Sequence, residues 1–278
     1  MQKTISCEGA LSGKGLHTGQ TSQVFFKPAP ACTGVKFFHQ GEPLDILPRP
    51  GAGQTFDSEQ GARCTVVGLG KHQVKTIEHL FAALSGLGIS NIEIHADGPE
   101  IPGLDGSALP WVTLFKSLGI RSQDVPREVY RIREPLFCYE ANKAIAIYPS
   151  KEFRIAYVLD YPHPDLRGQK ADFVVTPEIF ETEIAPARTF CMGDEALVLK
   201  KHGFGLGADY QNTLVFGEKG LIQNRLRFKD ECARHKVLDI LGDLSLLGFS
   251  LVGRVVGVRS GHRLNAKLAE AISAQRKN

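Results

Sequence analysis

His235, Asp239 and Asp243 stand four residues apart, with Lys236 beside the first. On a helix a step of four returns to the same face, so an imidazole and two carboxylates stack one turn above another. An imidazole and a carboxylate held that way can be two ligands of one metal ion. Glu78-His79, at the start of another apolar stretch, offers a third. His79, His235 and Asp239 then form a His₂–carboxylate set, the kind that leaves a position open for water and makes it nucleophilic near neutral pH. Glu78, next to a ligand, is placed to accept that water's proton. His262 follows Gly261 in a loop, where an imidazole can serve as acid or oxyanion donor. Asp243 is the carboxylate that could keep it protonated and oriented. A His–Asp pair at this spacing is most often an ordinary surface pair. Here it is the company of Glu78, His79 and His262 that points to a metallohydrolase.

These residues need rigid elements. Val237, Leu238, Ile240, Leu241, Leu244 and Leu247 fall on one arc, which predicts a helix over about 231–247 with the metal face opposite. Thr76 reads as the N-cap of a helix ending near Gly86 or Gly88, and Ser107 as the cap of one running to about Leu118. Ser22–Phe26, Val35–His39, Asn91–His95, Val129–Ile132, Ala144–Tyr148, Phe153–Leu159 and Val252–Val258 read as strands. A turn-rich segment is expected around Pro48–Gly53, a linker over 119–126, and a last helix from Asn265 to Ala274. Gly13-Lys14-Gly15-Leu16-His17-Thr18-Gly19 lacks phosphate-loop spacing and reads as a tight turn between strands.

Leu84-Ser85-Gly86-Leu87-Gly88-Ile89-Ser90 matches Leu244-Ser245-Leu246-Leu247-Gly248-Phe249-Ser250, and the same register aligns His79 with Asp239. Either two similar domains each bring ligands to one metal, or a Leu/Gly-rich helix end recurs by chance. The segment 192–207 breaks that symmetry. Leu197, Val198, Leu199, Phe204 and Leu206 around Lys200-Lys201 suit a lid or apolar channel, or equally a helix packed on the surface.

With 278 residues, 42% hydrophobic and 23% charged, the chain is long enough for one large or two ordinary domains with a proper core. The formal net charge of +3 is too small to imply nucleic acid. From Arg225 onward eleven Lys+Arg face five Asp+Glu. That basic region fits an anionic substrate or a solvated basic face. No apolar run suits a signal peptide or a membrane span, and the six scattered cysteines include no C-x-x-C pair. Reduced thiols in a cytoplasmic protein are expected.

Six segments together resemble one family, the zinc-dependent UDP-3-O-acyl-N-acetylglucosamine deacetylases of lipid A biosynthesis in Gram-negative bacteria. They are Gly15–Gly19, Thr76–Leu80, Glu100-Ile101-Pro102 with Leu104–Ser107, Ala187–Phe190, Arg234–Leu244 and Ser260-Gly261-His262, in the family's order and over nearly the whole chain. The resemblance implies zinc on His79, His235 and Asp239, with Fe²⁺ chemically compatible. It implies Glu78 as general base, His262 as the protonated partner of the leaving amine or of the oxyanion, oriented by Asp243, and Thr189 on the oxyanion. It places Phe190 against the glucosamine ring, Lys236 on the sugar, Leu16 and His17 at the substrate, and Leu197 and Leu206 along an acyl passage built by 192–207. Arg259 stands where the family often has Lys, for diphosphate contact, and Tyr161 where an aromatic ring can stack on uracil.

The expected fold is α+β: two similar domains, 1–121 and 127–278, each a mainly antiparallel sheet with helices on one face. The helices would pack between the two sheets, with the metal at the junction. The expected partner is UDP-3-O-acyl-N-acetylglucosamine, with no nucleic acid and no membrane span, and the protein is expected to be a monomer. A zinc amidase for another acylated sugar and a non-catalytic sugar- or lipid-binding module with a structural zinc are the rival readings.

Overall fold

Alternation of side chains builds the first sheet. Along Thr21–Pro28, Ser22, Val24 and Phe26 turn inward, while Thr21, Phe25 and Lys27 face out. The computed structural model describes residues 1–46, 63–69 and 72–277, so the turns expected around Pro48–Gly53 lie outside the described residues. Five strands run in the order Gly9–Lys14, Thr21–Pro28, Ile92–Ala96, Val35–His39, Glu42–Leu44. The central Ile92–Ala96 is antiparallel to Thr21–Pro28 and parallel to Val35–His39. The tight turn expected at Gly13–Gly19 is there, joining the first two strands: Gly15 accepts from the Gly19 amide, and Gly19 has a φ of 67°.

The second sheet runs Leu136–Glu140, Lys143–Tyr148, Ser250–Val258, Phe153–Leu159, Gln169–Val174. Its central Ser250–Val258 is antiparallel to Lys143–Tyr148 and parallel to Phe153–Leu159, and Val129–Arg131 also pairs with it. In both sheets the strand latest in sequence sits between two hairpins.

Four helices cover these sheets. Glu78–Leu87 lies on the first, where Phe81 stacks on Phe37 with ring centroids 6.3 Å apart. Leu109–Ser117 sets Trp111 and Phe115 edge-on against Phe26. Glu231–Ser245 packs on Phe153–Leu159 and Gln169–Val174, and His262–Lys277 covers Leu136–Glu140 and Lys143–Tyr148. Glu231–Ser245 also crosses Glu78–Leu87 closely. A Cβ on Gly242 would stand 2.1 Å from the Glu78 carbonyl oxygen, so only glycine permits that approach.

Three local expectations are corrected. Residues 119–126 are not a free linker, because Ile120–Gln123 pairs antiparallel with Gln2–Ile5 and gives the N-terminal strand its partner. Thr76 does not cap the first helix. It holds a φ of 62°, and its hydroxyl donates to Glu100 Oε1 at 2.7 Å. His262 is not in a loop but opens the last helix, since the Gly261 carbonyl accepts from the amides of Leu264 and Asn265. The polar face of Glu231–Ser245 is buried like its apolar face, because it meets the neighbouring helix instead of water.

Candidate metal centre and active site

One helix start and one helix middle converge at the crossing. Glu78 and His79 open their helix, and His235 and Asp239 lie on successive turns of Glu231–Ser245. All four are at most 4% exposed. One ligand atom from each of His79, His235 and Asp239 lies within 4.8 Å of the others. His79 Nε2 is 3.8 Å and His235 Nε2 3.4 Å from Asp239 Oδ1. The Ala187 carbonyl accepts a hydrogen bond from His235 Nδ1–H at 3.1 Å, which leaves Nε2 unprotonated with its lone pair toward the carboxylate.

The donor set fits a cation. Asp239 Oδ1 is buried without a hydrogen-bond partner among the described residues, an arrangement that a bound positive charge would relieve. Burial and the neighbouring His235 hold His79 down to about 3, so the ring is neutral, as a metal ligand must be. Burial also lowers His235. Burial raises an acid, but the charges of His235 and Lys236 overcome it at Asp239, which stays ionised. Its second oxygen accepts from Lys236 Nζ at 2.5 Å.

On the other side of Asp239 stands a proton-handling pair. His262 Nε2 lies 3.8 Å from Asp239 Oδ2, and its Nδ1 lies 2.9 Å from Asp243 Oδ2. Burial disfavours the imidazolium, but Asp243 and then Asp239 outweigh it and raise His262 to about 9. Glu78 shows the opposite case. Burial raises its carboxyl to about 8, with Asp239 and Asp243 adding to the rise against the charge of His262. One group that holds a proton and one that gives up its proton only reluctantly thus flank a single ligand set.

Residues 2–274 match the family model described as UDP-3-O-acyl N-acetylglycosamine deacetylase. The chain belongs to this family. It is 40% identical over 276 residues to the UDP-3-O-acyl-N-acetylglucosamine deacetylase of Syntrophotalea carbinolica, covering 98% of this chain and 88% of that one. The deacetylase of Thermosynechococcus vestitus is 37% identical, with 99% and 95% covered, and that of Coxiella burnetii 36%, with 98% and 90%.

In this deacetylase-family chain the ligand set lies in a cleft of about 880 Å³. Leu16, His17, Tyr161, Thr189, Phe190, Leu197, Lys236 and Arg259 all line it. Phe190 sits edge-on to Tyr161 at 5.7 Å and to His235 at 6.3 Å. Thr189 is fixed through its backbone, its amide donating to the Gly106 carbonyl and its carbonyl accepting from Leu214. Arg259, at a φ of 54°, pairs with Asp160 at 3.2 Å. The helix Gly193–Lys201 forms one wall within the segment expected to be an insertion. Leu206 is not among the lining residues. Its side chain is exposed while its amide donates to the His17 carbonyl. Asp243 lies behind His262, outside the cleft.

Other residues at the site carried no local signal. Lys143 lines the cleft beside Asp160 and Arg259. Glu100, buried, accepts from the amides of His17 and Thr18 and the hydroxyls of Thr18 and Thr76. It therefore ties the Gly15–Gly19 turn to the start of the Glu78–Leu87 helix. Its place in the matched segment Glu100-Ile101-Pro102 was the available clue.

Proposed function

We propose that the chain hydrolyses the 2-acetamido group of UDP-3-O-acyl-N-acetylglucosamine, releasing acetate and the free amine, in lipid A biosynthesis. The observation that carries this reading is the buried set of His79, His235 and Asp239, flanked by Glu78 and the Asp243–His262 pair, in a chain of this family. His79, His235 and Asp239 would hold zinc, which when bound supplies Lewis acidity toward the amide carbonyl and a positive charge that favours the Glu78 carboxylate. Glu78 takes the proton of the attacking water. Thr189 donates its hydroxyl to the oxygen that gains negative charge. His262, held protonated by Asp243, delivers its proton to the departing nitrogen. Lys236 balances the charge of Asp239 and meets the sugar beside Phe190. Arg259 takes the diphosphate, Tyr161 the uracil and Leu197 the acyl group, with Leu16 and His17 also lining the substrate cleft.

We also infer two related domains, 1–121 and 127–278, with helices between the sheets and an insertion at about 192–207. Three features support this: the common strand order, the crossing of Glu78–Leu87 with Glu231–Ser245, and the matched Gly88 and Gly248 at φ 76° and 77°.

The test is metal analysis with an acetate-release assay on UDP-3-O-acyl-N-acetylglucosamine and on its analogue without the acyl chain. About one zinc per chain and strong preference for the acylated nucleotide sugar are expected. Glu78→Ala should keep its metal and lose turnover by about a hundredfold or more. Equal hydrolysis of a non-nucleotide sugar amide would reject the substrate, and unchanged turnover in Glu78→Ala would reject the base.

A further inference from the structure

Thr65 precedes the short strand Val66–Leu69 and does not line the cleft, yet it touches both proton-handling sides of the site. It is 1% exposed. Its backbone amide donates to Glu78 Oε2 at 2.9 Å. Its hydroxyl donates to Asp243 Oδ1 and lies 3.2 Å from His262 Nδ1. Its carbonyl accepts from the Ile77 amide at 3.4 Å, which ties it to the residue before the Glu78–Leu87 helix.

We propose that Thr65 is a positioning residue for the hydrolysis, holding Glu78 through its amide and the Asp243–His262 pair through its hydroxyl. This rests on the reading of Glu78 as proton acceptor and His262 as proton donor. The division of donors around Asp243 makes the hydroxyl necessary. Oδ2 already serves two, His262 Nδ1 at 2.9 Å and Asn265 Nδ2 at 2.8 Å. Oδ1 has Thr65. Without the hydroxyl, Oδ1 is a buried acceptor with no donor among the described residues, and the carboxylate gains by turning toward one. Such a turn takes the imidazole with it, away from the leaving nitrogen. The amide arm survives any side-chain replacement by a non-proline residue. Thr65→Val therefore removes the hydroxyl arm alone at nearly constant volume.

The experiment compares wild type, Thr65→Val, Thr65→Ser, Asp243→Asn and the Thr65→Val/Asp243→Asn double variant, all metal-loaded. It measures kcat, KM, metal content, Tm and the downfield proton resonance of the imidazole N–H shared with Asp243. Thr65→Val should lower kcat by about ten- to a hundredfold, as for a lost hydrogen bond to a charged group, with KM changed less than about twofold. Metal content should stay full, and the resonance should move. Thr65→Ser should restore kcat to within about threefold and return the resonance. In the Asp243→Asn background, Thr65→Val should add less than about a threefold loss, because the two residues act as one unit.

A kcat within twofold of wild type in Thr65→Val, a loss that follows metal content, or losses that multiply in the double variant would each overturn the proposal. So would a Thr65→Ser as slow as Thr65→Val. If Thr65→Val does not fold, Thr65→Ala replaces it and must meet the same criteria. Wild-type protein that binds metal and shows the resonance but releases no acetate would overturn the functional reading, and the positioning role with it. An active wild type with an indifferent Thr65 overturns the positioning role alone.

Discussion

His262 can give up a proton only where its surroundings let it keep one. Burial works against the charged ring, and Asp243 at 2.9 Å is the largest force opposing burial. With its pKa raised from 6.5 to about 9, the donor form persists through neutral pH and is lost as pH rises through that value. Asp243→Asn removes the supporting charge and leaves the burial. The alkaline limb of kcat/KM should therefore move to lower pH in Asp243→Asn, by about one unit or more. A pH-rate profile of both proteins checks this, and an unmoved alkaline limb would mean that another group sets it. The core of the site was legible at this scale because its spacing is local: Glu78 adjoins His79, and His235, Asp239 and Asp243 repeat by helix turns. Thr65 and Asn265 were not legible. A hydroxyl or amide that pairs with a carboxylate far along the chain leaves no periodicity behind. Glu100 shows the same limit, since its donors in the Gly15–Gly19 turn are brought to it only by the first sheet.

Elements set the distances that residues then use. The candidate ligand set depends on how closely Glu78–Leu87 and Glu231–Ser245 approach, and at Gly242 the two backbones come too close for a Cβ. Alanine there would gain about 1 kcal/mol of helix propensity. Its Cβ would meet a backbone oxygen, which cannot swing aside as a side-chain end can, and overpacking of this kind costs about 1–3 kcal/mol or more. Gly242→Ala should accordingly be destabilised on balance. It should also bind metal more weakly than wild type, since a wider crossing parts His79 from His235 and Asp239. Thermal melting and metal titration test this together; a Tm and metal affinity equal to wild type would show that the crossing has slack. Glu231–Ser245 was readable from its apolar arc and Glu78–Leu87 from the apolar stretch ending at Gly88, but the close contact at Gly242 was not, because a glycine within a helix pattern signals no particular neighbour. The strand Ile120–Gln123 was hidden for a similar reason. Gly119 and the polar Arg121 and Ser122 look like a linker until Gln2–Ile5 is found alongside.

At the scale of the whole molecule, the candidate ligands come from both halves of the chain, while one continuous buried cluster runs from Ile5 to Ile272. A cation on His79, His235 and Asp239 adds a link across a core that is already shared. Two consequences follow for unfolding. Because the native state alone assembles the set, metal at a thousand times its dissociation constant stabilises by about 4 kcal/mol. For a chain of this size each kcal/mol moves Tm by roughly 2–4 °C, so a strong chelator should lower Tm by roughly 8–16 °C. The chelated protein should still melt in one transition, since the shared core remains when the cation is gone. Asp239→Ala, which lacks the carboxylate that both imidazoles face, should lose the response to chelator. Calorimetry of wild type and Asp239→Ala, with and without chelator, reads all three outcomes. A chelator-insensitive wild type would reject the ligand set. Two separate transitions after chelation would show that the metal, rather than the shared core, makes the halves unfold as one.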